Sequence, residues 1–323
     1  MINILLIGAG QLGSRHLQAL ALLKIPVTIQ VIDLSQESLQ IAEIRFKEVA
    51  DSFNGTISFH TSMSEINPII DVAIIATNSN GRRTIVEKLT SLATVKNIIF
   101  EKFLFTNIDD YAAVTALLEK KKISAWVNCP RRMMSIYQEI RNELIGPIQF
   151  SAIGSSWGLG CNGIHFLDLF AYLTNSTEII LSNNLIDKKI IDSKRSGYIE
   201  FTGTITGYSS NHSFHITSYA TANSPLQLII DTPTIRYVIF EGSLGKVLKY
   251  TAKNNWQLEE FTFEMPFQSK LTNVAVTQIA VSGSCELTPF IESSKLHLVF
   301  LNNLISFLQT EIKNNPIREC MIT

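Results

Sequence analysis

Cysteine is scarce. The 323 residues hold four, Cys129, Cys161, Cys285 and Cys320, and none forms a Cys-x-x-Cys pair. That pattern offers neither a disulfide framework nor a zinc site and reads as free thiols in a reducing compartment, so a cytoplasmic location is expected. Basic runs are also missing. The longest is Lys120–Lys122, and the formal net charge is −1, which leaves no electrostatic footprint for nucleic acid. No apolar run reaches the about 20 residues that cross a bilayer, so no membrane partner is expected. A strand opening at Ile2 leaves no room for a secretory leader ahead of it. His212 and His215 lack a carboxylate or cysteine at ligand spacing, and no metal is expected. Linkers, internal repeats and low-complexity stretches are absent, which implies closely joined domains.

What remains is a globular composition, 46% apolar and 17% charged, in a chain long enough for two domains. Apolar strand-like runs at Ile2–Ile7, Val27–Asp33, Asp71–Ala76, Asn97–Phe100 and Ser124–Val127 alternate with helical spacing at Gln11–Leu23, from Ser35 to about Ala50, Arg82–Leu92 and Asp109–Lys122. Such alternation argues for parallel βαβ units. It stops near residue 125. Arg131–Ile145 and Gly163–Leu173 read as helices. Short Ile-, Thr-, Tyr- and Phe-rich runs from Glu178 to Glu260 suggest a mostly antiparallel sheet, and Phe267–Ser282 and Ser293–Lys313 return to helical spacing. The expectation is an α/β chain: a doubly wound parallel sheet over residues 1–124, then an α+β domain with a large open sheet over 125–323.

Gly8-Ala9-Gly10-Gln11-Leu12-Gly13 is an intact Gly-x-Gly-x-x-Gly that follows a strand and opens a helix. In this context Gly8 permits the turn, Gly10 the approach of a pyrophosphate, and Gly13 close helix–strand packing, while the helix N-terminus with Gln11 and Leu12 faces the phosphates. Asp33 ends the second strand 20 residues after Gly13. A carboxylate there accepts from the adenosine ribose hydroxyls and repels a 2′-phosphate, so NAD is expected over NADP. It could also cap the helix that follows. His16, on the apolar side of the first helix, reads as a hydrogen-bonded core histidine.

From here the chain resembles the glucose–fructose oxidoreductase/inositol dehydrogenase/rhizopine-catabolism family, Gfo/Idh/MocA. The ordered markers are the phosphate loop with Arg15-His16, a strand from Asp71 ending in Ala76-Thr77-Asn78, then Glu101-Lys102-Phe103-Leu104, and Gly163-Ile-His165-Phe-Leu-Asp168. These are similar to the family's Ala-Thr-Pro, Glu-Lys-Pro-Leu and Gly-x-His-x-x-Asp. Asn78 and Phe103 replace prolines, and Cys161 stands where the fuller motif has an acid. The resemblance implies cofactor contacts from Thr77, Asn78, Asn80, Glu101 and Lys102 beside those of the glycine loop and Asp33.

It also implies catalytic roles. Lys102 would hydrogen-bond the reacting hydroxyl, with Glu101 holding it; by position alone it could be a solvated surface lysine. His165, expected in the first turn of a helix capped by Asn162, would be a neutral general base, with Asp168 on its other nitrogen. The alternatives are a packed histidine and a first-turn charge that complements the dipole. Cys161 either supplies a thiolate in place of the acid or merely widens the pocket. Arg131, Arg132 and Trp157 are candidates for substrate contact, and the arginines could equally be solvated. The function implied is NAD-linked hydride transfer at a secondary alcohol or ketone of a sugar, cyclitol, sugar acid or nucleotide sugar. The rival is a dinucleotide-binding regulator without turnover, of the galactose-repressor type. The resemblance and the open sheet together suggest a homodimer or homotetramer.

Overall fold

The computed structural model describes residues 1–312 and 316–323. Six runs pair in parallel: β1 (Ile2–Ile7), β2 (Val27–Ile32), β3 (Gly55–His60), β4 (Ile69–Ile75), β5 (Thr94–Phe100) and β6 (Ser124–Val127). The short β17 (Thr288–Pro289) adds antiparallel to β6, and the order is β17-β6-β5-β4-β1-β2-β3. Between them run α1 (Gln11–Ala21), α2 (Gln36–Lys47), α3 (Arg82–Leu92) and α4 (Ile108–Lys121). Leu5, Leu6, Ile29, Val31, Ile74, Ile75, Ile98 and Ile99 are all buried, adjacent residues included, as strands covered on both faces require. Each such side chain contributes about 1.5–3 kcal/mol of transfer free energy. The strand order reverses between β1 and β4, and in doubly wound sheets ligands bind at the carboxyl ends beside such a reversal.

β3 has no counterpart among the sequence expectations. Its residues are exposed or half-buried, as an edge strand's are, so no apolar run marks it. Its alternation of Ile57 and Phe59 with Thr56, Ser58 and His60 was the available signal.

The remaining elements are α5 (Ser135–Glu143), β7 (Gln149–Ser155), α6 (Leu159–Thr174), β8 (Ile180–Ile186), a two-stranded ribbon of β9 (Ile191–Asp192) and β10 (Ile199–Glu200), β11 (Gly203–Ser209), β12 (His212–Tyr219), β13 (Gln227–Asp231), β14 (Ile235–Phe240), β15 (Lys246–Thr251), β16 (Glu259–Thr262), α7 (Thr272–Ser282) and α8 (Phe290–Ile312). Eight of these strands form one sheet, β16-β15-β14-β13-β7-β12-β11-β8, antiparallel except where β7 meets β12. Phe170 of α6 packs on Phe214 of β12, which stacks on Phe150 of β7.

The helix expected over Arg131–Ile145 is a 3₁₀ turn, Pro130–Met133, followed by α5. α6 begins at Leu159, four residues before Gly163, and α8 at Phe290. Lys313, the expected end of α8, lies outside the described residues. The chain divides into two compact units. One holds Met1–Phe105, Asp109–Pro130 and Pro266–Ile291, and the other holds Thr106–Ile108, Arg131–Met265 and Glu292–Thr323.

Candidate functional site

In the first unit the glycine loop has the stereochemistry its motif demands. Gly8 lies at φ 95°, and a Cβ on Gly13 would stand 1.8 Å from the Gly8 carbonyl oxygen, so α1 and β1 touch through bare backbone. A Cβ on Gly10 would meet nothing within 4 Å. That open space adjoins an α1 N-terminus with no side-chain cap and no acid in its first turn. The first N–H groups of a helix lack intrahelical partners, and here they and the dipole's positive end suit a pyrophosphate. The residues therefore fit a dinucleotide.

Asp33 stands beside this loop. Its Oδ2 accepts from the Ala9 N–H at 2.6 Å and its Oδ1 from the Ser35 N–H at 2.8 Å. The cap of α2 is Ser35, whose hydroxyl accepts from Ser38 N–H at 3.1 Å. Asp33 is thus a half-buried carboxylate fixed against the phosphate loop.

The loops after β4 and β5 are braced by a residue that no motif flagged. Arg82, fully buried at the start of α3, donates from Nη1 to the carbonyls of Glu101 and Leu104 at 2.7 Å each and to that of Phe103. Its Nη2 reaches the Thr77 carbonyl at 2.5 Å. Thr77 is half-buried, Asn78 and Asn80 are exposed, and Lys102 is half-buried between buried Glu101 and Phe103. The Lys102–Phe103 peptide bond is cis. Glu101 does not give its Oε1 to the neighbouring lysine. That oxygen accepts from His16 Nε2 at 2.8 Å and from the Asn128 amide. His16 Nδ1 lies 2.7 Å from Thr272 Oγ1, Gln268 Nε2 donates to the same hydroxyl at 3.0 Å, and Asn128 Nδ2 donates to Gln268 Oε1 at 2.9 Å. His16 is a hydrogen-bonded core histidine, as its position suggested, but its partner is a motif residue.

In the second unit α6 carries the remaining candidates. The helix is buried along Leu159, Gly160, Gly163, Ile164 and Phe166–Ala171, whereas Cys161, Asn162 and His165 are half-buried. The 161, 162, 165 spacing puts these three on one face. Asn162 is no cap: its amide donates to the Trp157 carbonyl at 2.6 Å. The cap comes from 40 residues away. Glu200 accepts from Gly160 N–H and, at 3.2 Å, from Cys161 N–H. Because the helix starts at Leu159, His165 lies in its second turn, beyond the reach of most of the dipole, so the expected dipole effect on the imidazole does not apply. Cys161 lies inside the first turn, not ahead of it, and its Sγ stands 3.7 Å from the Gly158 carbonyl oxygen, which a thiol can donate to.

Asp168 belongs to a buried ion cluster. Arg132 donates to Oδ2 from Nε at 2.8 Å and to Oδ1 from Nη2 at 3.0 Å, and reaches Glu292 at 2.7 Å. Arg131 pairs with Glu241 through Nε at 2.8 Å and Nη2 at 2.5 Å, and lies over the Phe166 ring. Tyr137 donates to the same carboxylate. Burial would raise the Glu241 carboxyl, but Arg131 and then Tyr137 outweigh it and hold it below the usual range. Neither arginine is solvated. Both have carboxylate partners within the unit, a use the sequence did not reveal. Trp157 packs edge-on against Phe166 and donates from Nε1 to the Thr217 carbonyl at 2.8 Å.

Residues 2–129 match the model of the Gfo/Idh/MocA oxidoreductase family, NAD-binding Rossmann fold. Over that stretch the chain is similar to the Gfo/Idh/MocA oxidoreductases. No curated protein matches the sequence significantly. Among solved structures, the chain is similar to levoglucosan dehydrogenase in complex with NADH (TM-score 0.73, 16% identity, 96% of this chain and 97% of that one). It is also similar to an oxidoreductase from Agrobacterium radiobacter in complex with NAD+, L-tartaric acid and magnesium (0.71, 18%, 92% and 94%). A third is UDP-N-acetylglucosamine 3-dehydrogenase from Acidithiobacillus ferrooxidans (0.67, 13%, 95% and 99%). At these identities the likeness is one of fold, and it covers both units. Among the described residues no helix is long and apolar enough to cross a membrane.

Proposed function

We propose that this protein catalyses reversible hydride transfer between NAD(H) and a secondary alcohol or ketone of a sugar, cyclitol, sugar acid or nucleotide sugar, with NAD preferred over NADP. The observation that carries the reading is the phosphate loop, where open space over Gly10 adjoins an uncapped helix N-terminus and an Asp33 carboxylate held by Ala9 N–H. NAD, when bound, supplies the hydride acceptor. Gln11, Leu12 and Gly13 offer N–H groups to its phosphates, Asp33 accepts from its ribose hydroxyls, and Thr77, Asn78 and Asn80 line its path. Lys102 hydrogen-bonds the reacting oxygen and, by its charge, eases loss of the proton. His165, in the second unit, serves as a half-buried general base. Trp157, next to the α6 face that bears Cys161, Asn162 and His165, offers an aromatic surface to a sugar ring. Asp168 serves this face indirectly, anchored by Arg132. The large sheet fits assembly as a homodimer or homotetramer.

The test is NADH absorbance during incubation with sugars, cyclitols, sugar acids and nucleotide sugars, with Lys102→Met and His165→Ala as controls. Turnover on one class that falls about 10²–10⁴-fold in both variants is the expected result. NAD binding without turnover on any of them would leave a dinucleotide-binding regulator instead.

A further inference from the structure

We propose that His16 is a positioning residue that acts through Glu101 on Lys102, within a closed hydrogen-bonded ring of His16, Glu101, Asn128, Gln268 and Thr272. The proposal rests on the reading of Lys102 as the group that meets the reacting oxygen. The ring lies wholly in the first unit. His16, Glu101, Asn128 and Thr272 are buried, at 1%, 3%, 4% and 3% exposure. A buried carboxylate is tolerated only when hydrogen-bonded, so the ring's geometry is demanding.

Donor chemistry orders most of the ring. Asn128 Nδ2 has two hydrogens, one for Glu101 Oε1 and one for Gln268 Oε1. Gln268 Nε2 then donates to Thr272 Oγ1. The Thr272 hydroxyl, with a second lone pair and its own hydrogen, meets His16 Nδ1 at 2.7 Å and can pair with that nitrogen whether or not it carries a proton. A carboxylate oxygen only accepts, so His16 Nε2 carries a hydrogen and donates it to Glu101 Oε1. Asn128 and His16 both donate to the same carboxylate oxygen, and Gln268 and Thr272 link the two behind it.

Glu101 is the residue before Lys102, and its own backbone is held from both sides. Its N–H donates to Ile75 at 3.0 Å and its carbonyl accepts from Arg82. The ring adds the one constraint the backbone lacks, the direction of the Glu101 side chain. With Oε1 occupied by His16 and Asn128, the Glu101 side chain is held in one orientation next to Lys102 in the chain. The segment Pro266–Ile291 contributes to the cofactor-binding unit through Gln268 and Thr272.

The experiment uses the full chain loaded with NADH. Lysines are trace-acetylated with acetic anhydride and their rates read by mass spectrometry in wild type, His16→Leu, His16→Gln and Thr272→Val. Loss of the His16 donor should shift the Lys102 rate about tenfold relative to the other lysines, roughly one pKa unit's worth of interaction. His16→Gln, which keeps an N–H donor and a carbonyl acceptor, should return it to within about twofold. A merely structural histidine would change all lysine rates together, with no rescue by glutamine, and that result overturns the proposal. Should His16→Leu fail to fold, Thr272→Val carries the test: it removes the hydroxyl that holds His16 Nδ1 and should shift Lys102 in the same direction by less. ¹⁵N resonances of His16 should report hydrogen on Nε2, and a ring protonated on Nδ1 alone would overturn the proposal. Failure of the underlying reading looks different, because Lys102→Met would then retain turnover whatever the acetylation rates do.

Discussion

Arg132 grips both carboxylate oxygens of Asp168, Nε to Oδ2 at 2.8 Å and Nη2 to Oδ1 at 3.0 Å, with the pair 8% and 1% exposed. The acid that the family motif sets three residues after His165 thus holds the 3₁₀ turn Pro130–Met133 to α6. Removing one partner of a buried ion pair strands the other's charge. Arg132→Met should therefore lower the unfolding free energy by about 3–5 kcal/mol. Urea denaturation followed by tryptophan fluorescence measures this, and a loss under about 1 kcal/mol, the range of an exposed pair, would show that the contact is not buried in solution.

Glu241 gives stability a pH dependence. Burial alone would raise its carboxyl, and the Arg131 guanidinium and Tyr137 hydroxyl reverse that and leave it lowered. A group depressed in the folded state stabilises fully above its unfolded value, about 4.3 for glutamate, and that contribution disappears as pH falls through the folded value. Glu241→Gln should cost about 3 kcal/mol at pH 7 and make stability less sensitive to acid below about pH 5. Denaturation curves from neutral to acid pH check it; wild-type and variant curves that stay parallel would remove Glu241 from the account.

Two glycines of one motif should respond in opposite ways. A methyl on Gly10 meets nothing within 4 Å, so Gly10→Ala should fold normally. It should nonetheless weaken NAD at least about tenfold by filling the pyrophosphate's approach. A methyl on Gly13 would sit 1.8 Å from a backbone oxygen, so Gly13→Ala should lose stability before affinity can be compared. Titration calorimetry with NAD and thermal melts separate the two. Unchanged NAD affinity in Gly10→Ala would mean that the dinucleotide binds elsewhere.

The state of Cys161 turns on Glu200. That carboxylate already occupies the N–H groups of Gly160 and Cys161 at the start of α6, where a thiolate would seek stabilisation, and its charge opposes a second anion there. Iodoacetamide should alkylate Cys161 slowly near neutral pH and faster as pH rises. Cys129 and Cys320 are buried, and burial pushes the Cys285 thiol up to about 11, so Cys161 should be the first to react. Glu200→Gln should move the Cys161 profile to lower pH. Rapid alkylation of the unaltered protein near neutrality would restore the thiolate reading and refute this one.

Several features were legible in the residues alone because their causes are local. The glycine loop, the strand before it, Asp33 and the Ser35 cap depend on neighbours within one βα unit, and all of them sit as their spacing implied. The parallel sheet was readable because strands covered on both faces must be continuously apolar, and the edge strand β3 escaped because it need not be. What the tertiary structure alone decided are the long-range partners. The start of α6, and with it the turn that holds His165, depends on a carboxylate contributed from β10. Arg131 and Arg132 look like candidate anion binders until folding supplies Glu241, Asp168 and Glu292. His16, Glu101, Asn128, Gln268 and Thr272 carry no common spacing, since burial forces polar groups to find whichever partners the fold brings within reach. Residues 266–291, helical in pattern like others near the chain's end, pack with the first unit because of what they touch. Periodicity records how a segment meets a surface, and only the assembled fold says which surface that is.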